Sequence, residues 1–271
     1  MTGPQSRSRD AIAAQIEAEI VGGQLMPGDR LLSERQLSER YGASRPIVRE
    51  ALRSLVERGL IDVAPGRGAF VRSPSSLQGT RPLDALYRRR QPTARHLSEA
   101  RIMLECEAAS LAAQHAGLDD VTELQRRLDA LEASRSPFES VRNDLAFHLT
   151  VAAASHNPVI ETMFASIAPL SVELMVRSIG DPDVTQRSGP YHRATYEAIA
   201  ARDPDRAREA MRAHLSVARD TYGRDYDQRL DTMALRALRL LGSEGSLDDF
   251  LHAVMPAATN EPAPARTEQP A

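Results

Sequence analysis

Ser33-Glu34-Arg35-Gln36-Leu37 and, after a gap of six residues, Ser44-Arg45-Pro46-Ile47-Val48-Arg49-Glu50-Ala51-Leu52 are the stretch that decides the fold. Ser33 is a helix N-cap, and Gln36 at the third helical position completes a capping box. The helix it opens is short, because Gly42 follows Tyr41. Ser44 caps the next helix, with Pro46 where a missing N–H is harmless. On that helix Val48, Leu52, Leu55 and Val56 fall on one face, and Arg45, Arg49 and Arg53 recur every fourth residue on another. Upstream, Ile12, Ile16 and Ile20 predict an amphipathic helix from about Asp10 to Val21, ended by Gly22-Gly23 and a turn at Pro27-Gly28-Asp29. Downstream, Ile61-Asp62-Val63 and Ala69-Phe70-Val71 are strand-like runs around Pro65-Gly66-Arg67-Gly68, a glycine-rich hairpin tip. Helix, short helix, tight turn, helix and hairpin make a winged helix-turn-helix. A row of arginines alone is as readily a solvated face; its setting between the capped helix and the hairpin favours DNA.

The runs Gly23 to Leu31, Ser33 to Leu37, Ser44 to Leu52, Gly59-Leu60-Ile61 and Gly68 to Val71 together resemble the GntR family of transcription regulators over nearly all of residues 10–72. Two positions depart from the pattern: Leu32 stands where the family usually has Pro, and Pro46-Ile47 where it commonly has Thr-Pro. The resemblance implies that Arg35, Arg45 and Arg49 contact DNA and that Gly66 to Gly68 enters the minor groove. Physical chemistry agrees. An arginine at the start of a recognition helix can read guanine O6 and N7. The Ser44 hydroxyl can take a phosphate, and Arg67 adds a charge at the wing tip.

After a linker at 74–81, opened by Ser73-Pro74-Ser75-Ser76 and containing Gly79, the chain reads as helix after helix. Helices are expected over 82–90, 93–115, 118–134, 137–155, 158–179, 188–202 and 204–223, with breaks at Pro92, Gly117, Pro137, Asn157-Pro158, Gly180-Asp181-Pro182 and Asp203-Pro204. Short connections imply an all-α antiparallel bundle. The expected organisation is therefore mainly α: a winged helix-turn-helix at 8–73, a helical sensing domain at 82–224, extra helices at 225–255 and a disordered tail at 256–271. The extra helices carry apolar stripes (Leu230, Met233, Ala234, Ala237, Leu238, Leu241; then Leu247, Phe250, Leu251, Val254) that pack either on the body or on a partner chain.

Asp144 and His148 lie four apart, on one face of a helix. His192 and His214 flank Asp203 symmetrically, 11 residues to either side. In an antiparallel pair both imidazoles then stand about 16 Å from the turn, at one level. One carboxylate and three imidazoles there suit a divalent metal, although any single histidine is more often a satisfied polar group than a ligand. Residues 82–222 also resemble the FCD ligand-binding domain of the FadR branch of the family, through Glu99-Ala100-Arg101 to Glu105, Asp144 to His148 and on to Asn157-Pro158, and His192 to Leu215. That resemblance implies Asp144, His148, His192 and His214 as the ligand set, with Tyr191 replacing a usual Glu. Zinc is the expected ion, with nickel, iron or manganese admitted. His96, His115, His156 and His252 have no such match and read as ordinary polar residues. Arg101 sits where some relatives are thought to meet an effector carboxylate; an internal ion pair with Glu105 is the equal alternative. Cys106 beside it reads as core.

All 34 basic residues are arginine, against 37 acidic ones, for a net charge of −3. Residues 1–73 hold 11 arginines against 9 acids, so a mildly basic head sits on an acidic body. No apolar run approaches the ~20 residues that cross a bilayer, and the polar N-terminus has no secretory pattern. One cysteine allows no intrachain disulfide and fits a reducing compartment, the cytoplasm. The expectation is a sequence-specific DNA-binding repressor, not an enzyme. It would bind a palindromic operator as a homodimer and be controlled by a small organic acid beside the metal. A metal-dependent hydrolase on the bundle is the alternative, but no HExxH, nucleophile elbow or phosphate loop supports it.

Overall fold

Residues 8–73, 81–241 and 246–259 are described by the computed structural model, and the chain divides into two units, Met1–Arg81 and Pro82–Ala271. Most of the expected linker (74–80) and of the expected tail (260–271) lies outside the described residues.

The first unit contains α1 (Arg9–Val21), α2 (Glu34–Tyr41), α3 (Arg45–Glu57), β1 (Ile61–Ala64) and β2 (Gly68–Val71). The capping box at α2 forms as expected: the Ser33 hydroxyl accepts the Gln36 N–H at 3.4 Å, and the Gln36 side chain accepts the Ser33 N–H at 3.0 Å. Ser44 occupies the N-cap of α3, but its hydroxyl makes no capping hydrogen bond. Ile12, Ile16, Leu37, Val48, Leu55, Ile61 and Val71 close one core. On α3 the buried set is Val48, Ala51, Leu52 and Leu55; Val56 is 36% exposed and sits at the edge of the expected face. β1 and β2 pair antiparallel from Ile61↔Val71 to Ala64↔Gly68. The outer edge of β2 is also paired, by Leu31 N–H to Ala69 O and Val71 N–H to Asp29 O, each at 2.8 Å. The turn after α1 thus covers an edge that would otherwise be open.

The second unit is a helical bundle: α4 (Arg81–Arg90), α5 (Ala94–His115), α6 (Leu118–Glu132), α7 (Pro137–Ala154), α8 (Pro158–Ile179), α9 (Pro182–Ala200), α10 (Pro204–Thr221), a 3₁₀ turn at Gly223–Asp227, α11 (Leu230–Leu240) and α12 (Leu247–Thr259). Four of these helices start alike. Ser136, Asn157, Asp181 and Asp203 are N-caps whose side chains accept backbone N–H groups, each followed by proline at the first helical position. This pairing satisfies an orphan donor and presets φ, so both ends of each connection are sharply defined.

One helix begins six residues earlier than its expected start at 188. α9 runs from Pro182 straight through Ser188-Gly189-Pro190. Asp181 and Pro182 start it, and Pro190 lies far enough inside that flanking turns hold the helix despite one missing N–H. α12 likewise continues through Pro256 to Thr259, one turn into the segment expected to be disordered; Ala257 and Ala258 are strong helix formers. α11 packs on α8 and α12 on α7, so both extra stripes find partners within the body. Leu230, Met233, Ala234, Ala237 and Leu238 are buried, as are Leu247, Leu251 and Val254. α8 is, by length and composition, apolar enough to cross a membrane, with a mean hydropathy of 1.6. It is two-thirds buried among its neighbours, as a bundle's central helix is.

Candidate functional site

α7 brings Asp144 and His148 to one level of the bundle, α9 brings His192 and α10 brings His214. The His192 and His214 ring centroids are 4.2 Å apart, which is what their equal distance from the α9–α10 turn requires. His148 lies 5.0 Å from His214 and 5.5 Å from His192 by the same measure. One donor atom from each of the four residues lies within 4.8 Å of every other, comparable to the span of a coordination shell with bonds of about 2.0–2.2 Å.

Asp144 Oδ1, His148 Nε2 and His192 Nε2 are buried and have no hydrogen-bond partner. They face one another instead: Asp144 Oδ1 is 2.8 Å from His192 Nε2 and 3.6 Å from His148 Nε2. Buried polar atoms are rarely left unpaired, because each loses its water without replacement. Acceptor atoms converging on one point are what a cation satisfies, so the donor set fits a divalent metal. The outer nitrogen of His214, Nδ1, lies 3.4 Å from the Ser188 carbonyl, on the turn of α9 that precedes Pro190.

Behind this cluster α5 contributes a buried charge pair. Arg101 Nε donates to Glu105 Oε1 at 2.5 Å, and Nη2 reaches Oε2 at 3.4 Å. Oε2 is in turn in ion-pair contact with Nδ1 of His148, although the two are not aligned as a hydrogen bond. Burial pushes the Glu105 carboxyl up, but the charges of Arg101 and His148 prevail and hold it below its usual value. Burial pushes His148 down, yet Glu105 and Asp144 outweigh it and raise the imidazole to about 9. His214 is driven well below the usual range by burial and by the other two histidines. Asp144 is held well below its own range by His148 and His192 against the opposing effect of burial. In a buried cluster of this kind, proton occupancy and cation occupancy compete directly.

Arg101, Asp144, His192 and His214 line a cavity of about 340 Å³. Its wall also carries the hydroxyl residues Ser98, Ser134, Ser140, Ser178, Thr185 and Ser188 beside apolar Leu174 and Val184. A small pocket with a guanidinium edge and several hydroxyls suits a small polar anion. Sequence reasoning singled out Asp144, His148, His192 and His214, which the structure brings together, and Arg101. It did not foresee the Glu105–His148 contact, since Glu105 signals only its helical neighbour Arg101, four residues back. Of the histidines set aside, His115 Nδ1 meets Ser155 O at 3.1 Å and His156 Nε2 meets Asp120 Oδ2 at 2.7 Å. His96 Nδ1 accepts the Thr93 N–H at 3.3 Å.

In the first unit Arg35, Ser44, Arg45, Arg49 and Arg67 are all exposed. Arg35 pairs with Glu39 at 2.7 Å, and Arg49 forks onto Glu34 at 3.0 and 2.8 Å. Gly66 and Gly68 have φ of 74° and 111°, the left-handed side that favours glycine. At Gly68 a Cβ would stand 3.0 Å from Nε of Arg30, a flexible side-chain end that can shift, so it is the positive φ that favours glycine there.

Comparison with known proteins bears on both units. Residues 8–71 match the model of the bacterial regulatory proteins of the gntR family, and residues 96–217 match that of the FCD domain. The chain is 32% identical over 219 residues to the HTH-type transcriptional regulator LutR of Bacillus subtilis, covering 78% of this chain and 99% of that one. This chain belongs to the GntR family, with an FCD domain. Among its Escherichia coli relatives are the Glc operon transcriptional activator (32% identical; 78% of this chain, 87% of the relative) and the galactonate operon transcriptional repressor (30%; 74% and 90%). A solved structure, Streptococcus agalactiae GntR, superposes with a TM-score of 0.58 at 25% identity, covering 79% of this chain and 99% of that one. Members of this family are transcription regulators, not enzymes, and nothing in these similarities supports a hydrolase.

Proposed function

We propose that this GntR-family regulator is a repressor whose operator binding is controlled by a small organic acid in the 340 Å³ cavity, beside a divalent metal held by Asp144, His148, His192 and His214. The observation that carries this reading is the convergence of unpartnered buried acceptors on the wall of a cavity that Arg101 also edges. Zinc fits an imidazole-rich set best, and nickel, iron and manganese are admissible. The ion supplies a Lewis-acidic anchor for a carboxylate oxygen. The remaining Arg101 N–H groups and the wall hydroxyls then orient the rest of the molecule. A relative named for the galactonate operon supports an organic acid over an apolar effector.

On the DNA side, Arg35, Ser44, Arg45, Arg49, Gly66, Arg67 and Gly68 form the contact surface. Exposed guanidiniums on α3 can exchange a glutamate partner for a base edge or phosphate, and the uncommitted Ser44 hydroxyl can take a phosphate. One winged unit spans too few base pairs for selectivity, so a homodimer on a palindromic operator is part of the proposal, acting in the cytoplasm beside the chromosome. Effector control requires the acid to bind the DNA-competent and DNA-incompetent states unequally.

The test is a gel shift on operators found by mapping genomic binding sites, with zinc-loaded and chelated protein and a panel of organic acids. Release of the operator by one acid, only when metal is present, is the expected result. Indifference to every acid, or identical responses after chelation, would remove the sensing role.

A further inference from the structure

Glu105 and His148 stand apart from the rest of the site. Both are almost fully buried, at 2% and 1% exposure, and neither lines the cavity that Arg101, Asp144, His192 and His214 share. Glu105 therefore does not face an effector. Its Oε1 takes the shorter contact from Arg101, and Oε2, which Arg101 Nη2 also reaches, lies against Nδ1 of His148.

A neutral imidazole carries one proton, and only the tautomer protonated at Nδ1 offers an Nε2 lone pair. In water the choice is settled by solvent; at 1% exposure it is settled by the neighbour. An ionised carboxylate can only accept, so a carboxylate against Nδ1 selects the N–H there. We infer that Glu105 is the positioning residue of the metal site: its carboxylate, in contact with Nδ1 of His148, keeps the imidazole proton on that nitrogen and so commits Nε2 to the ion, with Arg101 balancing its charge. The inference rests on the metal reading above. Outer carboxylates of this kind fix ligand orientation, and their loss commonly weakens metal binding roughly 10- to 100-fold.

Glu105→Gln makes the decisive variant because it preserves volume. The amide oxygen stays with Arg101, which needs an acceptor, so the NH₂ turns toward Nδ1 and drives the proton onto Nε2, the wrong nitrogen. Full-length protein would be stripped, reloaded with zinc and titrated against a chromophoric chelator. The expected loss in E105Q is roughly 10- to 100-fold, alongside a lower melting temperature of the metal-free form, because Arg101 loses its counter-charge. Adding Arg101→Met to E105Q frees the amide oxygen to turn to His148 and restores part of the affinity, whereas a merely structural role predicts further loss.

Histidine ¹⁵N spectra of zinc-loaded parent protein provide a readout that needs no variant: His148 should carry its proton on Nδ1 and zinc on Nε2. The opposite assignment, or E105Q binding zinc as tightly as the parent, would overturn the inference and leave the metal site standing. A parent that takes up no zinc would remove the metal site itself, and this one with it.

Discussion

Arg49 and Arg101 each fork onto a glutamate, and there the likeness ends. The Arg49 side chain is 68% exposed and its pair with Glu34 lies in water; the Arg101 side chain is 5% exposed and its pair with Glu105 lies inside the bundle. In water the pair is screened, holds little free energy and is easily exchanged. Inside, neither partner can leave without stranding the other. The DNA-binding unit thus keeps its charges loosely engaged and ready for another anion, while the body uses the same chemistry as fixed architecture around its cavity.

The contrast fails first if the buried cluster does not hold metal. His148→Ala and His214→Ala should each reduce bound zinc from about one ion per chain to background in the purified protein, beyond the roughly 10–100-fold effect of an outer residue. Elemental analysis decides this, and metal retained undiminished by both variants would move the site elsewhere. Next is the pair itself. Arg101→Met should destabilise the protein by about 3–5 kcal/mol in urea unfolding, because it leaves Glu105 buried with only His148 to offset its charge. A loss below about 1 kcal/mol would place that carboxylate in contact with solvent.

At the exposed end, Arg45→Ala and Arg49→Ala should weaken operator binding roughly 5- to 150-fold if they read bases. Unfolding curves should not move, since Val48 and Leu52 on the opposite face carry the packing. Equal affinity of both variants and parent, measured by fluorescence anisotropy, would dismiss α3 as the reading helix.

Glu173 on α8 is an intermediate case. It is 1% exposed and lies 2.8 Å from Arg88, which is itself partly exposed. Burial raises its carboxyl to about 7, against the lesser pull of Arg88. A folded-state value above the unfolded one means that the folded chain holds the proton more tightly. Stability from this group is therefore full below about pH 4.5 and is lost as the pH rises toward 7. Glu173→Gln should accordingly stabilise the protein by about 1–2 kcal/mol at pH 8 and by almost nothing at pH 5. Unfolding at both pH values checks the sign. The smallest effect belongs to Glu34→Gln, which should change stability by less than about 0.5 kcal/mol although it removes a well-formed fork.

Local punctuation made most of the fold legible. Ser33 with Gln36, and the cap-plus-proline starts at Asn157 and Asp203, act within a turn of themselves, so they could be read without tertiary knowledge. The α9 start was missed because Ser188-Gly189-Pro190 carries breaker residues whose cost the surrounding packing absorbs, and sequence does not report packing. The clustering of His192 and His214 was visible through helical arithmetic, since spacing along two antiparallel helices fixes their height. Resemblance then bound Asp144 and His148 to them. Glu105 escaped because its contact with His148 joins α5 to α7 across 43 positions of chain, with no periodicity to announce it. The pairing of Leu31 with β2 escaped for a similar reason: a strand-like edge one bridge long has no alternation to detect.

Cys106, the one cysteine, is 3% exposed, and burial raises its thiol to about 11. Only the thiolate attacks, and at neutral pH on the order of one molecule in ten thousand carries it. Maleimides and methanethiosulfonates should pass over this residue in the folded protein. The natural chain is therefore a ready-made background for site-directed labelling. A cysteine placed at exposed Arg67 and another on the surface of the body would accept a pair of spin labels or dyes with the native thiol left in place. Distances between wing and sensor, with and without an effector, could then be read in solution.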